Sequence, residues 1–202
     1  MKPNISERII RPEQCVFAFG IPLTKEAFLK DLGHPNKNFA RKFHGVWEKY
    51  FEEIVSHFEM VRPRLIELGV ALCPELTFEK FGHLLREGFD VIILFSHWEE
   101  DAIEFFDGFV DYRKIVETIP ESFDGVLDLT VCHPERLVVA LRGERTRCLI
   151  RSIREKKKLI PHYWLYFFLA LFTHLKFCNL TYLQAVEDVA RGLQKKFGGA
   201  HL

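Results

Sequence analysis

The sequence has few cysteines, and they follow no disulfide or zinc-ribbon pattern. The count is odd and no C-x-x-C pair occurs among Cys15, Cys73, Cys132, Cys148 and Cys178. An odd count without paired spacing argues against both a disulfide framework and a zinc ribbon. We therefore expect reduced thiols in a cytoplasmic protein. Four of the five lie in apolar runs and are expected to be small buried side chains: Cys15, Cys73, Cys148 and Cys178.

The chain also lacks an excess of charge of either sign. Its 28 Lys and Arg residues equal its 28 Asp and Glu residues in number, so the formal net charge is zero. This balance argues against a nucleic acid or an anionic membrane as the main partner. No internal repeat or low-complexity tract is present.

No apolar run is long enough to predict a membrane span or a secretory signal. The first fourteen residues have no apolar core of the kind that secretory signals carry. The most apolar stretch, from Leu159 to Phe177, is uninterrupted only from Tyr163 to Phe172, whereas a span needs about 20 apolar residues. We predict a core helix there and no membrane contact.

What the sequence does contain is enough apolar material for one well-packed domain. Of 202 residues, 48% are hydrophobic and 20 are Phe, a composition typical of helices packed on a sheet. We predict a single domain over residues 1–202, with a helical insertion near 38–68.

Apolar runs and capped helical segments alternate along the chain. Strands are predicted at 14–21, 69–75, 91–98, 125–132 and 145–153. Helices are predicted at 25–33, 39–59 with an extension to 68, 77–88, 110–120, 162–177 and 181–197, with Thr24, Thr77 and Asp111 as caps. Residues 33–38 and the acidic segment 99–108 are predicted to be a loop and a loop or short hairpin, whereas 133–143 fits either a helix or a strand. The order strand–helix–strand predicts an α/β fold with a mostly parallel sheet flanked by helices.

Two residues at the ends of predicted strands carry the strongest functional signal. His97 follows the run VIILFS, and Cys132 ends the run GVLDLTVC. Neighbouring parallel strands end at the same edge of a sheet, which is where open α/β proteins bind their ligands. A thiol and an imidazole at that edge are the components of a nucleophile–base pair.

This layout resembles the caspase-like cysteine peptidases, in particular the CHAT branch found beside repeat domains in bacteria. The resemblance covers roughly residues 77–197. It rests on DVIILFSHW, on IEFFDGFVDYRKIVETIP, on GVLDLTVC and on a closing helix in NLTYLQAVEDVARGL. It implies a three-layer caspase-like fold and a cysteine endopeptidase that cleaves a protein substrate with a Cys132–His97 dyad. It further implies that the backbone N–H groups of Cys132 and Trp98 bind the oxyanion.

Two departures from the family pattern leave a second function open. Trp98 stands where this family usually has Gly, and Pro134 follows soon after the cysteine. Tryptophan does not adopt the backbone conformations that glycine adopts freely. The alternative is a catalytically degenerate caspase-like module that binds a regulatory protein partner.

Charged residues near the two strand ends are candidates for the rim of a substrate cleft: Glu99, Glu100, Asp101, Arg151 and Arg154. Each charge run is also typical of a solvated loop. His133 is a poor partner for Cys132 and His97 in a zinc site, because adjacent strand residues point to opposite faces. We predict no metal and no cofactor.

Overall fold

The computed structural model describes residues 4–34, 37, 39–99, 101–131, 138–139, 147–152 and 161–197. Five parallel strands form its central sheet: β1 (Cys15–Phe19), β2 (Ala71–Cys73), β3 (Val91–Phe95), β7 (Val126–Thr130) and β8 (Leu149–Arg151), in the order β2-β1-β3-β7-β8. A second, antiparallel sheet contains β4 (Trp98–Glu99), β5 (Ala102–Phe105) and β6 (Gly108–Asp111). The predicted α/β fold with a mostly parallel sheet is confirmed.

Helices cover both faces of the central sheet. On one face lie α1 (Lys25–Gly33), α2 (Trp47–Tyr50), α3 (Ser56–Leu68), α6 (Pro161–Phe177) and α7 (Tyr182–Phe197). On the other face lie α4 (Phe78–Leu84), α5 (Tyr112–Thr118) and strand β5. The three layers follow from the sheet's composition, because strands buried on both faces need an apolar cover on each. This arrangement is consistent with the three layers of a caspase-like fold.

Phenylalanine side chains fill the interface between the central sheet and helix α6. The Phe17 ring lies 4.4 Å from Phe19 and 4.9 Å from Phe168 on α6, centroid to centroid. Phe168 and Phe172 are fully buried, so the described part of the aromatic run at 159–177 is a core helix, as predicted. Within the residues that the structure describes, none of the helices combines the length and apolar character needed to cross a bilayer.

Three polar residues begin helices where the sequence pattern predicts them. Thr24 accepts a hydrogen bond from the Ala27 N–H, Thr77 accepts one from the Lys80 N–H, and Asp111 accepts one from the Arg113 N–H. Such caps satisfy backbone donors that the first helical turn leaves without a partner. These caps fix the residues at which α1, α4 and α5 begin.

The predicted continuous helix from Phe39 is wrong. A short 3-10 turn spans Ala40–Phe43, His44 has a φ of 58° and Gly45 a φ of 69°, and helix α2 begins only at Trp47. Two successive left-handed residues reverse the chain and end any helix. A π-helical turn, Phe51–Val55, then connects α2 to α3. Pro63 lies inside α3 without ending it.

Two smaller expectations are also corrected. Val110, expected at the start of a helix, belongs to β6, so the acidic hairpin continues as a third strand before α5. Cys178, expected to be buried, is exposed because it directly follows the last turn of α6. Cys15 and Cys148 are buried as expected, and Cys73 is half-buried.

Candidate functional site at the carboxyl edge of the sheet

The candidate site lies where β3 and β7 leave the central sheet side by side. The two strands pair in parallel with Phe95 opposite Thr130, and the Ser96 N–H donates to the Thr130 carbonyl at 3.2 Å. His97 is therefore two residues beyond one member of the last pair. Cys132, two residues beyond the other member, lies outside the described residues.

His97 is buried at the turn from β3 into the antiparallel sheet. Its carbonyl accepts a hydrogen bond of 2.8 Å from the Glu104 N–H, which fixes the turn. Only 4% of the residue is exposed. The Phe39 ring stacks on the imidazole with 5.4 Å between centroids, and Phe109 approaches edge-on at 6.5 Å. The imidazole thus lies between the chain that precedes α2 and the small sheet.

Lys42 supplies the closest polar contact described for the imidazole. Its Nζ lies 2.5 Å from His97 Nε2. Burial, and secondarily the Lys42 charge, lower the pKa of His97 from 6.5 to about 3. The imidazole is therefore neutral at physiological pH. Because an ammonium has only donors, Nε2 accepts the hydrogen bond from Lys42.

This depressed pKa predicts a specific loss of stability in acid. In the unfolded chain His97 has its ordinary pKa of 6.5, whereas in the fold its pKa is about 3. The unfolded state therefore binds the extra proton as the pH falls below 6.5, which favours unfolding. Between pH 7.5 and pH 5 the wild type should lose about 2 kcal/mol of unfolding free energy relative to His97→Gln. Urea unfolding of both proteins at each pH measures this, and parallel pH profiles would contradict it.

The Trp98 N–H does not take part in the ladder with β5. Trp98 pairs with Ile103 in the antiparallel ladder, and the Glu104-to-His97 hydrogen bond marks the adjacent pair as a hydrogen-bonded one. Pairs alternate between hydrogen-bonded and non-hydrogen-bonded in such ladders. The Trp98 N–H therefore points away from β5.

A buried ionic cluster fixes the chain that leads to Phe39 and Lys42. The Lys37 side chain is 1% exposed and contacts Asp31 Oδ1, while its Nζ lies 3.5 Å from Glu104 Oε1 and 3.3 Å from the Phe106 carbonyl. The Ala40 N–H donates to Asp31 Oδ2 at 3.4 Å. Helix α1, Lys37, the Phe39–Phe43 turn and β5 are thus tied together directly beside His97.

The charges in this cluster do not balance. One ammonium faces two carboxylates that are both fully buried. Burial, and then the Asp31 charge, raise the pKa of Glu104 to about 7, although Lys37 opposes this effect. Glu104 therefore titrates near neutral pH, which is unusual for a carboxylic acid.

Another buried carboxylate lies on β7. Asp128 accepts a hydrogen bond of 2.8 Å from the Tyr182 hydroxyl and lies 3.2 Å from Arg151 Nε. Its pKa is raised because burial outweighs the Arg151 charge. These three residues join β7, β8 and α7. The Ser96 hydroxyl, directly after β3, donates to the Glu104 carbonyl.

The structure describes three of the five predicted rim residues. Asp101 is exposed at the turn between β4 and β5, and Glu99 is in β4. Arg151 is mostly buried: its side chain is only 14% exposed, and its guanidinium lies 5.7 Å from the Tyr182 ring centroid. Glu100 and Arg154 lie outside the described residues.

Sequence reasoning misses the residues that surround His97. Lys42 is 55 positions away in the chain, and the apolar pattern places Phe39 in a regular helix. The same pattern places Lys37 in a loop, where lysine is ordinarily solvated. A single sequence carries no signal for such long-range polar contacts, since they depend on how α1 and the small sheet pack.

No protein-family model matches the chain, and a search of curated proteins found none that matches. What can be said of its function therefore rests on the fold and on the residues at the carboxyl edge.

Proposed function

We propose that the protein is a cysteine endopeptidase of the caspase-like, CHAT type, with Cys132 as nucleophile and His97 as its base. The observation that carries the proposal is the register of β3 and β7, in which Phe95 pairs with Thr130. In that register His97 is two residues past one member of the last pair, and Cys132 is two residues further along the sequence than the other.

Strand alternation supports the same pairing. Val91, Ile93 and Phe95 of β3 pack in the phenylalanine-rich core, and Val126 of β7 packs there too. Side chains two residues apart on a strand share a face. Counting onward by twos along the sequence reaches His97 from β3 and Cys132 from β7, and His97 lies against Phe39 and Lys42.

In the proposed reaction His97 takes the proton of the Cys132 thiol, and the thiolate attacks the carbonyl carbon of a substrate peptide. The backbone N–H groups of Cys132 and Trp98 stabilise the oxyanion. The C–N bond breaks when His97 returns the proton to the leaving amine. Water, deprotonated by His97, then hydrolyses the thioester and regenerates the thiol. A nucleophilic thiol must stay reduced, which fits a cytoplasmic protein.

A second candidate function is favoured by the surroundings of His97. Thiol activation requires the imidazole to accept a proton and become positively charged. Burial of His97 and a lysine ammonium 2.5 Å from its Nε2 both disfavour that charge. A caspase-like module without catalysis, acting on a regulatory protein partner, is compatible with this. In that case Cys132→Ala leaves partner binding and biological activity intact.

Sequencing of new protein N-termini tests the peptidase proposal for a protein substrate of any sequence. A cell extract is incubated with the wild type or with Cys132→Ala, and new N-termini are identified by mass spectrometry. The proposal predicts cleavage sites that share a residue preference and appear only with the wild type. Identical N-termini in both samples would overturn the peptidase proposal and favour the second candidate, the module that binds a protein partner.

A further inference from the structure

We propose that the turn formed by Phe39–Phe43 is an autoinhibitory latch that places Lys42 on His97 and slows the enzyme without abolishing its activity. This inference rests on the proposed peptidase function, because it concerns regulation of the same imidazole. The residues of the latch turn come from the connection between α1 and α2, not from the strands that carry the dyad.

The contact opposes both tasks of a catalytic histidine. A base must offer a nitrogen lone pair to the thiol and then carry a positive charge. Lys42 occupies the Nε2 lone pair at 2.5 Å, and its charge repels an imidazolium. The Phe39 ring, stacked at 5.4 Å, covers one face of the imidazole. With Lys42 in place, the thiolate–imidazolium pair is therefore disfavoured.

The latch turn is held at both ends, while Lys42 itself is at the surface. Ala40, which donates its N–H to Asp31, is fully buried, and Phe43 packs on Tyr50 with 4.9 Å between ring centroids. Lys42 is exposed. Its side chain can therefore leave His97 without disturbing the packing on either side of it.

The backbone that follows the latch turn is strained. His44 has a φ of 58° and a ψ of 22°, a left-handed conformation that few non-glycine residues adopt. Such residues persist where the surrounding structure determines them, and they are common in switch regions. The left-handed conformation of His44 therefore fixes the end of the latch turn, so that release of His97 requires only the Lys42 side chain to move.

Three substitutions of Lys42 that remove, reverse or keep its charge test the latch. Lys42→Met removes the charge, Lys42→Glu reverses it and Lys42→Arg retains it. Lys49→Met is the matched control, because Lys49 is also exposed and lies on α2. Histidine Cε1 signals are followed by NMR against pH, with His97→Gln identifying the His97 signal. The same proteins are assayed for hydrolysis that depends on Cys132.

We expect the His97 midpoint to rise in Lys42→Met and further in Lys42→Glu, and to stay unchanged in Lys42→Arg and Lys49→Met. Hydrolysis at pH 7 should rise in Lys42→Met, by about tenfold for each unit by which the His97 midpoint rises. Hydrolysis that depends on Cys132 but does not rise in Lys42→Met would overturn the latch alone. No such hydrolysis in any variant would overturn the peptidase function, and the latch with it.

Discussion

Replacing Cys132 by alanine is expected to lower the rate of peptide hydrolysis by about 10³-fold or more, because no other group supplies the attacking sulfur. The loss should appear in kcat with little change in KM, since alanine leaves substrate contacts largely intact. His97→Ala should cost a similar factor, and the double variant should be no slower than either single variant, because the two residues act as a unit.

Cys178→Ala is the matched control for this experiment. Cys178 is an exposed thiol at the end of α6, on a different segment from the strand ends. Its replacement makes the same chemical change and should leave hydrolysis unaltered. Equal losses in the two variants, or unchanged hydrolysis in Cys132→Ala, would contradict the assignment of the nucleophile.

Replacing Lys37 by methionine is expected to lower the free energy of unfolding by about 3–5 kcal/mol, the cost of leaving buried charge without its partner. Asp31 and Glu104 are both fully buried and face Lys37. Methionine fills a similar volume but leaves the two carboxyl groups next to each other. Urea unfolding at pH 8, where Glu104 is mostly ionised, should show the largest effect.

Two further variants separate charge from packing at this position. Lys30→Met is the matched control, because Lys30 also lies over the Phe106 ring, at 5.3 Å, but is exposed. It should change stability by less than about 0.5 kcal/mol. Adding Asp31→Asn and Glu104→Gln to Lys37→Met should recover most of the loss. Equal effects of Lys37→Met and Lys30→Met would show that the buried charge cluster contributes nothing.

The order of strands and helices was predictable from the sequence because local chemistry determines it. Apolar runs marked the five parallel strands, and caps such as Thr24 and Asp111 marked helix starts within one residue. The alternation of these elements predicted the parallel sheet. Strand ends were predicted less well: β3 stops at Phe95 because the next residues turn into the small sheet.

The surroundings of the site were not predictable by the same means. The sequence identified His97 as the residue at a strand end, and the structure places it at the turn after β3. The positions of Lys42 and Lys37 depend on the reversal at His44 and Gly45, which ends the expected helix at Phe43. Helical periodicity continued through that reversal, so the pattern of apolar residues did not reveal it. Cys132, Glu100 and Arg154 remain predictions.

The most direct test of the central claim is the rate at which each cysteine is alkylated. A limiting amount of iodoacetamide is added to the folded Lys42→Met variant. The alkylation of each cysteine is then quantified by peptide mapping. The account predicts that Cys132 reacts faster than the exposed Cys178, and that His97→Gln removes this advantage. Alkylation of Cys132 at or below the rate of Cys178, whether or not His97 is present, would contradict it.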